Sequence, residues 1–219
     1  MTQPKSFQLS PEIHEYLVAH GTPPDAVQQA LIDDTTKLGA IARMQIAPEQ
    51  GAFLTILARL LDTTTAVEVG TFTGYSALCI ARGLTEGGRL ICCDVSTEWT
   101  DIGRPHWDAA GVSDRIDLRI APAIDTLRAL PAQPHIDLAF VDADKPSYVS
   151  YVDELVPRLR PGGVLLIDNV LWSGAVVDAS VTDADTEAIR RCNDHVAADE
   201  RLDVVMLPIA DGLTVARRV

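Results

Sequence analysis

The chain has 219 residues, of which 47% are hydrophobic and 22% charged; that length and balance suit one domain with a sizeable core and exclude disordered and fibrous classes. A formal net charge of −13 would repel a phosphate backbone and an anionic lipid surface, so the expected partner is a small molecule, with no nucleic acid and no membrane. No run reaches the roughly 18 apolar residues of a spanning helix and the N-terminus lacks a signal-peptide core, so a cytoplasmic location is expected.

Residues 1–9 carry little pattern, although Lys5 and Phe7 could fold over a ligand. Ser10 as N-cap, Pro11 at the first helical position and Ile13, Leu17 and Val18 on one face predict a first helix, ended by Gly21 to Pro24,. A second helix is expected from about Asp25 to Ala42, with Val27, Ala30, Leu31, Leu38 and Ile41 on its stripe,. Pro48 starts a third, Glu49 to Leu61, with Phe53, Leu54, Leu57, Leu60 and Leu61 inward,. The segment Arg43 to Ile46 between them is short and irregular.

From Ala66 the chain alternates strand and helix. Strands are expected over Ala66–Gly70, Leu90–Asp94, Ile116–Ile120, Ile136–Val141 and Val164–Ile167. The intervening helices are Ser76–Leu84, Thr97–Ala110, Ile124–Leu130 and Tyr148–Leu159, and a further helix covers Asp183–Asp199. This alternation predicts an α/β fold with a doubly wound parallel sheet. Leu202–Ile209 and Leu213–Val219 are separated only by Ala210-Asp211-Gly212, too short for a crossover helix, so they form an antiparallel hairpin and bring the sheet to seven strands,. The whole chain, 1–219, is read as one domain, with N-terminal helices over 1–62 and a nucleoside-binding core over 63–219. Cys79, Cys92, Cys93 and Cys192 have no C-x-x-C spacing and are read as buried free thiols,.

Two constellations lie at the carboxyl ends of these strands, where open α/β sheets bind ligands. In the first, Val67 to Ser76 runs from a strand through Gly70 and Gly74 into a helix: Gly70 allows the turn, and Gly74 lets backbone approach a ligand,. Asp94 ends the next strand about two dozen residues on, where a carboxylate accepts bonds from ribose hydroxyls,. Phe72 stands where a dinucleotide site needs its second glycine, which disfavours a diphosphate, and Glu68 suits a ligand bearing an ammonium or sulfonium group,. In the second constellation, Asp142-Ala143-Asp144-Lys145 and Asp168-Asn169 end two apolar runs. Adjacent, they would offer hard oxygen ligands from Asp142, Asp168 and Asn169 to a divalent cation,. Asp and Asn also end strands and cap helices without binding anything.

The motifs Glu68-Val69-Gly70-Thr71-Phe72-Thr73-Gly74-Tyr75-Ser76, Asp142-Ala143-Asp144-Lys145, Pro161-Gly162-Gly163 and Asp168-Asn169-Val170-Leu171-Trp172-Ser173-Gly174 resemble the cation-dependent S-adenosylmethionine O-methyltransferases, the caffeoyl-CoA and catechol O-methyltransferase group. The likeness runs from about Met44 to the C-terminal hairpin. It implies a Rossmann-like class I methyltransferase fold, S-adenosylmethionine as methyl donor and a divalent cation, Mg²⁺ or else Mn²⁺ or Ca²⁺. It further implies a phenolic or catechol acceptor and a homodimer. Carried over by position, it assigns Glu68, Gly70, Thr71, Ser76 and Asp94 to the donor, with Ala123 beside the adenine, Met44 to Ile46 closing over it and Asp142 touching it as well as the cation. Lys145 takes the catalytic role. Ala121-Pro122-Ala123 replaces the family's Gly-x-Ala, and Ser173 stands where plant members carry a substrate-touching Asn.

The chemistry suits these residues. A cation on three protein oxygens keeps roughly three positions for two vicinal acceptor oxygens and a water. Coordination lowers the pKa of a bound hydroxyl, and Lys145 can take its proton or stabilise the phenolate. Trp172, Tyr148 and Tyr151 are candidate walls of a partly dry site,. The same strand, loop and acidic strand end would also allow an NAD-dependent oxidoreductase, and a non-catalytic donor-binding module is a third reading.

Overall fold

The computed structural model describes residues 9–219, so the expectation for Lys5 and Phe7 lies outside the described residues. Helix α1, Pro11–Ala19, is capped by Ser10, whose hydroxyl accepts from the Ile13 amide, and buries none of its residues. Helix α2, Ala26–Thr36, begins with a reciprocal cap in which Asp25 accepts from the Val27 and Gln28 amides and the Gln28 side chain accepts from the Asp25 amide. It stops six residues before the expected Ala42. Two β-branched threonines at its end and Gly39 at φ 71° turn the chain instead into a 3-10 turn, Gly39–Met44,. Helix α3, Pro48–Leu60, follows with proline at its first position,.

The alternating region forms β1 Thr65–Val69, α4 Tyr75–Gly83, β2 Arg89–Asp94, α5 Thr97–Ala109, β3 Ile116–Ile120, α6 Ala123–Ala129, β4 Ile136–Val141, α7 Tyr148–Leu155, β5 Leu159–Asp168 and α8 Ala184–Ala197. The hairpin strands are β6 Leu202–Leu207 and β7 Leu213–Arg218. Helix α7 is shorter than expected because Pro157 diverts the chain into a 3-10 turn over Val156–Arg158,. Strand β5 starts earlier than its apolar run suggests: Leu159 already pairs with Ile136, across an irregularity that absorbs Pro161-Gly162-Gly163.

The seven strands are ordered β3-β2-β1-β4-β5-β7-β6, with β1 to β5 parallel and β7 antiparallel to both β5 and β6. Every residue of β4 is buried, as a central strand covered on both faces requires,. One core layer joins Val67, Val69, Ala139, Val141 and Ile167 to α6, α7 and α8; the other joins Ala66, Leu138, Phe140 and Leu166 to α3 and α4. Each such side chain contributes about 1.5–3 kcal/mol on burial. The winding reverses between β1 and β4, and at that switch point the carboxyl ends of the two strands open a crevice,. All four cysteines are free and buried, as expected. Among the described residues no helix is long and apolar enough to cross a membrane.

Candidate active site

A cleft of about 1680 Å³ opens at the switch point. That exceeds the 300–1,000 Å³ of a typical single-ligand pocket and leaves room for two molecules side by side. Met44, Ile46, Gly70, Thr71, Ser76, Asp94, Ala123, Asp142, Lys145, Asp168 and Asn169 all line it. Glu68 does not. It lies fully buried beneath the floor, paired in register with Cys92 on one side and Phe140 on the other.

One half of the cleft is made of backbone. Gly70, at φ 90°, is forced by its neighbour as well as by the turn, since an added Cβ would lie 1.9 Å from the Asp142 carbonyl oxygen. The Asp142 amide in turn donates to the Val69 carbonyl at 2.9 Å, so the glycine loop and the first acidic strand end are in direct contact. Gly74 has a different reason from the one expected. At φ 82° its missing Cβ makes room for the Trp107 indole, whose Nε1 donates to the Gly74 carbonyl at 3.0 Å. Asp94 organises the loop: one carboxylate oxygen accepts from the Thr71 and Phe72 amides at 2.9 and 2.8 Å, and the other accepts from Ser96 at 2.8 Å. A carboxylate offers about four acceptor positions, so capacity for a ligand hydroxyl remains. Neither oxygen of Glu68 has a hydrogen-bond partner among the described residues. Burial pushes its carboxyl up to about 7, against the lowering influence of the nearby Ser76, Thr71 and Cys92,.

The other half is made of charged side chains. The buried Lys145 donates to Asp142 Oδ1 at 3.1 Å, to Asn169 Oδ1 at 2.7 Å and to the Tyr148 hydroxyl at 2.6 Å, and the Tyr148 hydroxyl donates to the Asp168 carbonyl at 3.2 Å. Tyr148 is therefore no cleft wall but the support behind Lys145, fully buried. Tyr151 and Trp172 do line the cleft, and the Trp172 ring centre is 5.6 Å from Lys145 Nζ. Asp168 is 2% exposed, and burial together with the Asp142 charge pushes its carboxyl up to about 7. Asp142 is likewise raised by burial, with Lys145 pulling the other way. Asp137 shows that burial alone does not set this pattern. Burial would raise it too, but Arg160 and the Thr64 and Thr65 amides bring it below the usual carboxylate range.

Two buried acids and an amide oxygen around a single ammonium make a site short of positive charge, and the donors are the hard oxygens that Mg²⁺ prefers,. The residues present therefore fit a divalent cation. Among the described residues no cluster of three His, Cys, Asp or Glu exists, so a set of three oxygen donors here would need the Asn169 amide as its third member. Asn169 adopts φ 60°, a left-handed conformation that turns its side chain toward Lys145,. Nothing in the sequence marks Gln50, which lines the cleft fully buried with neither amide atom partnered among the described residues. It follows Pro48 in an ordinary helix start, and nothing in that context marks a ligand group.

The fold, the switch-point cleft and its two halves define a class I methyltransferase. A family model described as O-methyltransferase matches residues 21–219, and the chain belongs to this family of cation-dependent S-adenosylmethionine O-methyltransferases. Among its relatives, mouse catechol O-methyltransferase domain-containing protein 1 is 41% identical over 174 residues, which are 78% of this chain and 66% of the relative. A Dictyostelium discoideum protein named "Probable caffeoyl-CoA O-methyltransferase 1" is 36% identical over 97% of this chain and 94% of its own. The structure of a Bacillus cereus O-methyltransferase in complex with SAH superposes with a TM-score of 0.85 at 29% identity, over 95% of this chain and 97% of that one. The protein is an S-adenosylmethionine-dependent O-methyltransferase of the caffeoyl-CoA type.

Proposed function

We propose that the protein methylates one hydroxyl of a small vicinal-dihydroxy aromatic molecule in a divalent-cation-dependent reaction, with Asp142, Asp168 and Asn169 as the metal ligands and Lys145 as the catalytic residue. The observation that carries this reading is the Lys145 ammonium held between Asp142 and Asn169 on the strand end that abuts Gly70. A bound cation would supply the charge that favours an ionised hydroxyl and a template that orients it. Gly70, Thr71, Ser76 and Asp94 hold the methyl donor over the glycine loop, with Ala123 beside its adenine and Met44 and Ile46 above it. Glu68 lies beneath the floor and supplies negative charge under the donor's cationic end above about pH 7, where its carboxyl ionises. Lys145 Nζ, in its neutral form, receives the acceptor proton and becomes the ammonium bound to Asp142 and Asn169, and its hydrogen bond to the Tyr148 hydroxyl keeps it pointed at the cleft,. Trp172 and Tyr151 exclude water from the acceptor side, where a dry site favours a reaction that cancels opposite charges,.

The acceptor wall supports a small catechol rather than a polyanionic thioester. Between Trp172 and Thr186 it presents Asp183 and Asp185, and from the hairpin turn Asp211, with no lysine or arginine among them. Incubation with S-adenosylmethionine, Mg²⁺ and a panel of catechols, caffeoyl-CoA included, followed by mass spectrometry, tests this reading. A singly methylated catechol is expected; turnover of the thioester alone would overturn the acceptor assignment, and no product with any acceptor would overturn the reading as a whole. The protein is further proposed to form a homodimer, which light scattering checks directly: a monomeric mass refutes it.

A further inference from the structure

The segment that closes the acceptor side has no apolar anchor. None of the residues from Leu171 to Asp183 is buried, and Val177 is 87% exposed. Trp172 and Ser173 nevertheless hold left-handed conformations at φ 47° and 51°, which a non-glycine residue keeps only when its surroundings impose them,. Trp172–Val177 form a 3-10 turn interrupted at Ser173 and Gly174, and around it the segment's backbone bonds run from Gly174 to Leu171, Asp178 to Ala175 and Val181 to Asp178.

Asp211 of the hairpin turn holds the near end, accepting from the Leu171 and Ser173 amides, and one guanidinium gathers the rest of the loop. Arg190, on α8, donates through Nε to the Val176 carbonyl at 3.0 Å, through Nη1 to the Val181 carbonyl at 2.8 Å and to Glu187 Oε1, and through Nη2 to the Ala175 carbonyl at 2.8 Å and to the Asp178 carbonyl. A guanidinium has five N–H donors in a rigid fork, and all of them are used. One helical turn further on, Asn193 donates to the Val170 carbonyl at 2.9 Å and secures the near end of the same segment. Glu187, Arg190 and Asn193 recur every three residues along one face of α8, so this face serves as a template around which the loop is wrapped.

We propose that Arg190 is a positioning residue for the acceptor: it shapes the loop over 172–183, and through it the placement of Trp172 against Lys145, without touching either substrate. Arg190 is not among the residues lining the cleft, whereas Ala175 and Val181, whose carbonyls it holds, and Trp172, Ser173 and Asp183 of the same segment, are. The donor half, built on β1 and β2, shares no hydrogen bond with this clamp. Removing the clamp must therefore separate the two substrates energetically. A lysine cannot replace it, because a point charge reaches at most three acceptors and has no fork.

The proposal rests on the acceptor binding beneath Trp172, and the experiment keeps the two ideas apart. Arg190→Ala and Arg190→Lys are compared with the wild-type protein by hydrogen exchange, by SAH titration and by steady-state kinetics with the best catechol of the panel. Exchange at the Gly174, Asp178 and Val181 amides is expected to rise in both variants, SAH affinity to stay within about twofold, and acceptor KM to rise on the order of tenfold with a smaller change in kcat. Added guanidinium ion is expected to recover part of the acceptor KM in Arg190→Ala and to leave the wild type unaffected. Unchanged exchange in the loop overturns the clamp itself, whether or not any acceptor is turned over. Faster exchange with an unchanged acceptor KM, or with SAH affinity falling in parallel, overturns the positioning role while leaving the methyltransferase reading intact.

Discussion

The two halves of the cleft use opposite materials. The donor half is cut from backbone: a glycine wedged against a neighbouring strand end, loop amides gathered by Asp94, and a carbonyl held by the Trp107 indole. The acceptor half is assembled from buried charges, left-handed non-glycine residues and a loop wrapped around one arginine. A backbone site tolerates changes in most of its side chains and fails when its glycines acquire one. A side-chain site fails residue by residue. The comparison predicts that substitutions will sort cleanly by which substrate they affect.

The largest effect is expected at Lys145. Lys145→Met should lower kcat by roughly 10²–10⁴, the range for a positioned proton acceptor, while SAH affinity measured by calorimetry stays close to wild type. Equal loss of donor binding would erase the distinction between the halves. Gly70→Ala is next: with the added Cβ 1.9 Å from a carbonyl oxygen and φ at 90°, it should cost about 3 kcal/mol or more of stability by denaturant titration and abolish donor binding. A variant that folds and binds SAH normally would show that the contact with Asp142 is dispensable.

Glu68 gives a pH signature. Its folded-state carboxyl is raised to about 7 from an ordinary 4.5, so the native state holds a proton that the unfolded chain has released. Between those values stability falls as pH rises, by roughly 3 kcal/mol in total, and the loss is complete above about pH 7. Glu68→Gln should therefore be more stable than wild type at pH 8 and equal to it near pH 4.5, with weaker donor binding at pH 8. A Tm difference that does not change across that window would contradict the account. The smallest effect is expected at Asp211, which accepts from the Ser173 amide at 2.5 Å. Asp211→Ala should raise acceptor KM about fivefold, the worth of a ~1 kcal/mol hydrogen bond, without altering SAH affinity.

The same contrast explains what the sequence could reveal. Strand and helix alternation made the doubly wound sheet and its hairpin legible, because burial on both faces leaves long branched runs such as Ile136–Val141. The donor loop was legible because turn glycines and a strand-end carboxylate keep fixed spacing, although spacing did not distinguish a glycine facing a ligand from Gly74 facing Trp107. Asp142, Asp168 and Asn169 were visible as strand ends. Tyr148 behind Lys145, Gln50 and the Arg190 clamp were not, since each acts across tertiary contacts that leave no periodic trace. The early end of α2 at Thr36 was missed because Leu38 and Ile41 continue its apolar stripe beyond the point where Gly39 turns the chain.

The proposal turns on the cluster of Asp142, Asp168, Asn169 and Lys145, short of positive charge, working with a divalent cation. Methyl transfer to a catechol, followed while EDTA is added and Mg²⁺ or Mn²⁺ is then restored, addresses it most directly. Activity is expected to fall to background with the chelator and to return with the metal in the wild type, but not in Asp168→Ala. Turnover that persists undiminished in excess EDTA would contradict it.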